Sequence, residues 1–113
     1  MTSITVSTAE RIRALNDAFR RTFVGGMVVI TAGVEAMPAD QRKSLLAKVR
    51  AFAAFTDDND PHREHDFGAI DEGGVRCFWK IDYYDREMEM LSPDPADPSV
   101  TTRVLTIMLA DEY

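Results

Sequence analysis

The sequence has 113 residues, 45% of them hydrophobic and 28% charged, with one cysteine and a net charge of −6. That length suits one domain with its own core, and that composition excludes a disordered chain. The lone Cys77 excludes an internal disulfide framework, and no apolar run approaches the roughly 20 residues that a membrane span needs. With no basic and then apolar leader at its start, the chain is expected in the cytoplasm, away from membranes.

Charge divides along the chain. Residues 1–56 hold four acids against eight bases, a balance of +4, whereas residues 57–113 hold fifteen acids against five bases, a balance of −10. The acidic half argues against direct nucleic-acid binding through that surface, because phosphate contacts need clustered Lys and Arg. It suits a cation or a basic protein surface.

In chain order, residues 1–7 are expected to be flexible. Ser7-Thr8-Ala9-Glu10 has the pattern of a helix start. Ile12, Leu15, Phe19 and Phe23 follow at spacings of three and four, which predicts an amphipathic helix. Gly25 and Gly26 end it, and Met27-Val28-Val29-Ile30-Thr31, β-branched and apolar on both sides, predicts an interior strand. Pro38 opens a second helix, with Leu45, Leu46, Val49, Phe52 and Ala53 as its apolar stripe and Arg42, Lys43, Lys48 and Arg50 in water.

Residues 56–63 are too rich in Asp, Asn and Pro to be anything but a loop. Residues 64–70 and 75–84 then predict a hairpin about the turn Asp71-Glu72-Gly73-Gly74. Pairing Ile70 with Val75 sets Phe67 opposite Phe78 and His65 opposite Lys80. One face, Val75, Cys77, Trp79 and Ile81, should meet the helices; the other carries His65, Phe67, Phe78, Lys80, Asp82 and Tyr84. A short strand is expected over residues 87–91, a proline-pinned loop over 92–99 and an interior strand over 100–109. The order predicts one α+β domain over residues 1–113: two amphipathic helices packed on one face of a mostly antiparallel sheet of four to five strands.

Three runs carry a resemblance: Phe52-x-x-Phe55-Thr56-Asp57-Asp58-Asn59-Asp60-Pro61-x-x-Glu64-His65-Asp66-Phe67-Gly68, then Phe78-Trp79-Lys80-Ile81-Asp82-Tyr83-Tyr84-Asp85, then Ser92-Pro93-Asp94-Pro95-Ala96-Asp97-Pro98-x-Val100-Thr101-Thr102-Arg103 and on to Ala110. The chain from Ile12 on resembles a family of small bacterial proteins catalogued only as a domain of unknown function. The resemblance implies a compact bacterial cytoplasmic protein often carried on plasmids or other mobile elements, and implies no activity.

Three chemistries can be written on residues 56–85. His62, His65 and Asp66 offer the donor types of a divalent-metal site, although their spacing matches neither an EF-hand nor an inverted zinc-protease motif. A metal-free acid–base set would use His65 as general base, Lys80 to stabilise an anion and Asp82 to orient the imidazole, as in a hydrolase or nuclease. The third is binding. Asp66, Phe67, Phe78, Tyr83 and Tyr84 supply aromatic anchors in an acidic surround, suited to a protein partner or to self-association of the oppositely charged halves. Composition favours this last reading, an acidic accessory or binding protein. Cys77, next to Trp79 on the core face, is expected to be a small buried hydrophobe.

Overall fold

The computed structural model describes residues 7–113, so the expectation of flexibility before Ser7 lies outside the described residues. Helix α1 (Thr8–Thr22) starts where the Ser7 hydroxyl accepts the Glu10 N–H at 3.1 Å and ends at Phe23 in a left-handed conformation. Ile12 and Phe19 are buried as the spacing predicts. So are Asn16 and Arg20, four and eight residues after Ile12, which extend the stripe along one edge.

Strand β1 (Met27–Ile30), a single-turn helix α2 (Ala32–Glu35) and helix α3 (Ala39–Arg50) follow. Pro38 stands at the α3 N-cap, and Leu45 and Val49 are fully buried. Helix α3 stops at Arg50, but Phe52 and Phe55 continue onto the core beyond its end.

The hairpin forms from β2 (Phe67–Glu72) and β3 (Val75–Tyr84). Its register differs from expectation. Gly73 (φ 57°) and Gly74 (φ 85°) make a two-residue turn on their own, so Glu72 pairs with Val75, Ile70 with Cys77 and Phe67 with Lys80. A shift of two residues preserves the faces. Cys77, Trp79 and Ile81 meet the helices, with the Cys77 thiol pushed up in pKa by burial, whereas Val75, expected with them, is exposed beside the turn where the strand begins. The strand starts at Phe67, however, which leaves His65 outside the ladder.

Residues 87–91 form no strand; a single bridge joins Tyr84 to Leu91. The last strand, β4 (Thr102–Leu109), is interior, antiparallel to β3 on one side and parallel to β1 on the other, and a 3₁₀ turn (Ala110–Glu112) follows it. The sheet order is β1-β4-β3-β2. Strand β1 is therefore an edge and not an interior strand, with Met27 48% and Val29 39% exposed. Its apolar residues on both sides have another cause: Val28 and Ile30 share the core face with Leu105 and Ile107, while Met27 and Val29 share the opposite face with Val104 and Thr106.

The fold is thus α+β, a four-stranded, mostly antiparallel open sheet with its helices on one face. Phe19, Val34, Leu45 and Val49 interlock there with Ile70, Trp79, Ile81, Leu105 and Ile107. Gly68 is required by this packing: a Cβ at that position would lie 2.3 Å from the Trp79 indole nitrogen and 2.8 Å from the Phe52 ring.

Candidate functional site: the His65 cleft and the outer sheet face

The residues singled out in the sequence fall on opposite sides of the sheet. On the helix side, the loop after α3 brings His65 under α1. Its Nδ1 lies 2.9 Å from Asp17 Oδ1, and since a carboxylate only accepts, Nδ1–H donates. The Asp60 carboxylate accepts the His65 backbone N–H at 3.1 Å, and its second oxygen lies 3.5 Å from Nε2. The Phe55 ring stacks on the imidazole at 3.7 Å, nearly parallel. His65 and Arg63 both adopt left-handed backbone (φ 54° and 57°), a conformation that non-glycine residues hold only where their surroundings enforce it.

Behind this cleft lies a buried polar network. Arg20 donates to Asp17 at 2.9 Å and to the Phe52 carbonyl at 3.1 Å, and its guanidinium sits over the Phe55 and Trp79 rings. Asn16, fully buried, donates to the Glu64 carbonyl and the Tyr83 hydroxyl and accepts from Arg103 Nε at 2.8 Å. Tyr83 donates on to the Glu64 carboxylate at 2.9 Å. Arg103 also donates to the Pro95 carbonyl and lies over the Tyr83 ring, which ties the proline loop to the same network.

Burial sets the electrostatics. It pushes the Tyr83 phenol far up, with Glu64 reinforcing the shift against the bond from Asn16, and pulls the Arg103 guanidinium down. Burial also raises Asp66, aided by the Glu64 charge nearby. For Asp17, burial would raise the carboxyl, but bonds and charges from His65 and Arg20 outweigh it and hold the group below the usual carboxylate range.

The other face of the sheet carries Phe67, Phe78, Lys80, Asp82 and Tyr84. Lys80 and Asp82 pair with each other at 2.8 Å, a bond that raises the Lys80 pKa. Phe67 and Phe78 are in ring contact at 5.2 Å, and Tyr113, which the sequence did not flag, completes a trio with them at 6.3 and 5.7 Å.

The acid–base set of His65, Lys80 and Asp82 is therefore not assembled, since the imidazole lies under α1 and the other two lie across the sheet. Tyr83 belongs to the buried network and not to the outer aromatic face. His62 is exposed in the loop, and among the described residues no group of three or more His, Cys, Asp and Glu is disposed to hold a metal ion. Asp17, Asn16 and Arg20 escaped notice as site residues. The available signal was the place of Asn16 on the helical spacing from Ile12, with Arg20 four residues further on, where buried polar side chains need partners such as the adjacent Asp17.

Residues 30–112 match the family described as a protein of unknown function, DUF3768. The chain belongs to the DUF3768 family. No curated protein and no solved structure matches it. The match to DUF3768 spans the loop bearing His65, all of β2, β3 and β4, and the proline loop; α1, which contributes Asp17, Asn16 and Arg20, precedes it. No helix among the described residues of this DUF3768 protein is long and apolar enough to cross a membrane.

Proposed function

We propose that this protein is an accessory protein that binds a basic protein surface through the outer face of its sheet. The observation that carries the reading is the uneven covering of the sheet: every helix packs on one face, and the other presents the Phe67–Phe78–Tyr113 trio together with exposed Met27 and Val29. Aromatic side chains set in a polar surround are the usual anchors of a protein interface. The trio and the Met27–Val29 edge are two apolar areas of that face, separated by Thr106 and the Lys80–Asp82 pair, and exposed apolar surface is a mark of interaction sites.

Charge selects the partner. Strands β2, β3 and β4 all lie in the half of the chain with a balance of −10, while α1 and α3 lie in the half with +4. On the outer face Asp71 and Asp82 are paired with Arg76 and Lys80, and Glu87, Glu89 and Asp111 are further exposed acids of that half. Such a surface attracts a basic partner over long range and repels an acidic one. The mobile-element setting that the family resemblance implies agrees with an accessory role.

The test compares capture by the wild-type chain with capture by Phe78→Glu and Tyr113→Ser chains at low and high salt, with the captured protein identified. The expected result is one basic protein, bound by the wild type, released by salt and lost with both variants. Equal capture by all three chains would contradict the reading. So would a concentration-dependent dimer of the wild type that both variants abolish, because that outcome assigns the face to a second copy.

A further inference from the structure

We propose that the His65 cleft binds a small molecule through an oxyanion, a phosphate or a carboxylate. The cleft lies on the helix side of the sheet, so this inference stands apart from the outer-face reading. A cavity of about 180 Å³ opens between Arg13, Thr56, Arg63 and His65, against the Phe55 ring. A water occupies about 30 Å³ of liquid, so the cavity has room for an oxyanion and several further atoms.

Two guanidinium groups that favour an anion face this space with little else to do. Arg13 has no carboxylate within ion-pair distance among the described residues, and its one bond is a 3.4 Å contact to the Arg63 carbonyl. Arg63 meets a single acid, Asp57, at 3.5 Å, with both side chains largely in water. Such an exposed pair contributes little and exchanges readily for a better ligand. His65 gives its Nδ1–H to Asp17, keeps its ring plane fixed against Phe55 and has Nε2 3.5 Å from the second Asp60 oxygen, so the ring is a fixed wall of the cleft whose nitrogens report on what binds beside it.

Two acids line the same cavity. Asp60 is buried and turned to the loop, one oxygen committed to the His65 backbone N–H. Asp57 is the exposed partner of Arg63 and can swing away. Guanidinium groups match planar carboxylates and phosphates with paired N–H bonds, and the fixed imidazole holds one wall of the cleft beside them. The same geometry places a positioned proton-transfer group beside anything bound there.

The test titrates inorganic phosphate and, separately, acetate into the ¹⁵N-histidine-labelled chain, with sodium chloride at matched ionic strength as control and the exposed His62 as an internal reference. The expected result is a saturable shift of the His65 ring nitrogens while His62 stays put, with the dissociation constant raised at least tenfold in Arg13→Gln and in Arg63→Gln. Saturation by phosphate alone assigns a phosphate-bearing ligand; saturation by acetate as well assigns a carboxylate or either oxyanion. No saturable shift at His65 with either salt would overturn the proposal, as would unchanged affinity in the two variants. Arg63 is exposed, so its variant keeps the test decisive if Arg13→Gln folds poorly.

Discussion

Asp17 and His65 stand 48 positions apart in sequence and 2.9 Å apart in the fold, joined by an Nδ1–H to carboxylate bond. The same Asp17 oxygen receives Arg20 Nη1 at 2.9 Å. One carboxylate thus neutralises a fully buried guanidinium and fixes the loop that forms the cleft. Helix α1 is thus joined to the rest of the fold by polar contacts as well as by the buried Ile12 and Phe19.

Replacing Asp17 with Asn leaves Arg20 buried without its counter-charge. Removing one partner of a buried pair costs about 3 kcal/mol, which urea denaturation at neutral pH would register as a lowered midpoint with an unchanged slope.

The pH dependence of that loss has a definite sign. Asp17 titrates lower when folded than when unfolded, where a carboxylate has a pKa of about 3.9. Its stabilisation is complete above the unfolded value and fades as pH falls through the folded one. The stability gap between wild type and Asp17→Asn is therefore expected to hold from pH 7 to about 5 and to close below about 4. A gap that persisted unchanged into stronger acid would contradict the ion-pair role.

Asp66 behaves in the opposite sense. Burial, with the Glu64 charge second, raises its pKa above the unfolded value, so its ionisation opposes folding as pH rises. Asp66→Asn is expected to raise the thermal midpoint at pH 7, with the gain vanishing in acid where the wild-type carboxyl is already neutral.

Asn16 is the junction of the buried network. Asn16→Leu strands Arg103 Nε and the Glu64 carbonyl and leaves the Tyr83 hydroxyl only its bond to the Glu64 carboxylate, and a cost of about 3 kcal/mol is expected from groups left unpaired away from water. Asn16→Asp is a second probe, since it keeps the acceptor for Arg103 but loses the amide donor to Tyr83.

Gly68→Ala drives a methyl group into the Trp79 indole and the Phe52 ring. Overpacking of this kind costs about 2 kcal/mol, and the emission of Trp79, the sole tryptophan, should shift with it.

Much of the frame was legible in the residues themselves. Ile12 and Phe19 on α1, Leu45 and Val49 on α3, and the alternation of Cys77, Trp79 and Ile81 each reflect a local period and fell where that period put them, whereas Ala53 lies exposed beyond the end of α3. The hairpin register depended on whether Gly73 and Gly74 turn alone, a difference of two residues that preserves side-chain alternation and so leaves no trace in it. Strand β1 has the pattern of an interior strand because both faces of the sheet are apolar at its edge, one against the core and one toward the outside. The environment of His65 depends on Asp17 and Phe55, partners from separate elements that no local spacing announces.

The most direct test of the outer-face account uses the methionines as reporters. Met27 lies on the outer face, 48% exposed, and Met37 lies in the core beneath the helices. In methyl-labelled protein bound to its basic partner, a shifted Met27 methyl signal and an unmoved Met37 signal are expected. A complex that moved Met37 and left Met27 in place would locate binding on the helix side and contradict the outer-face reading.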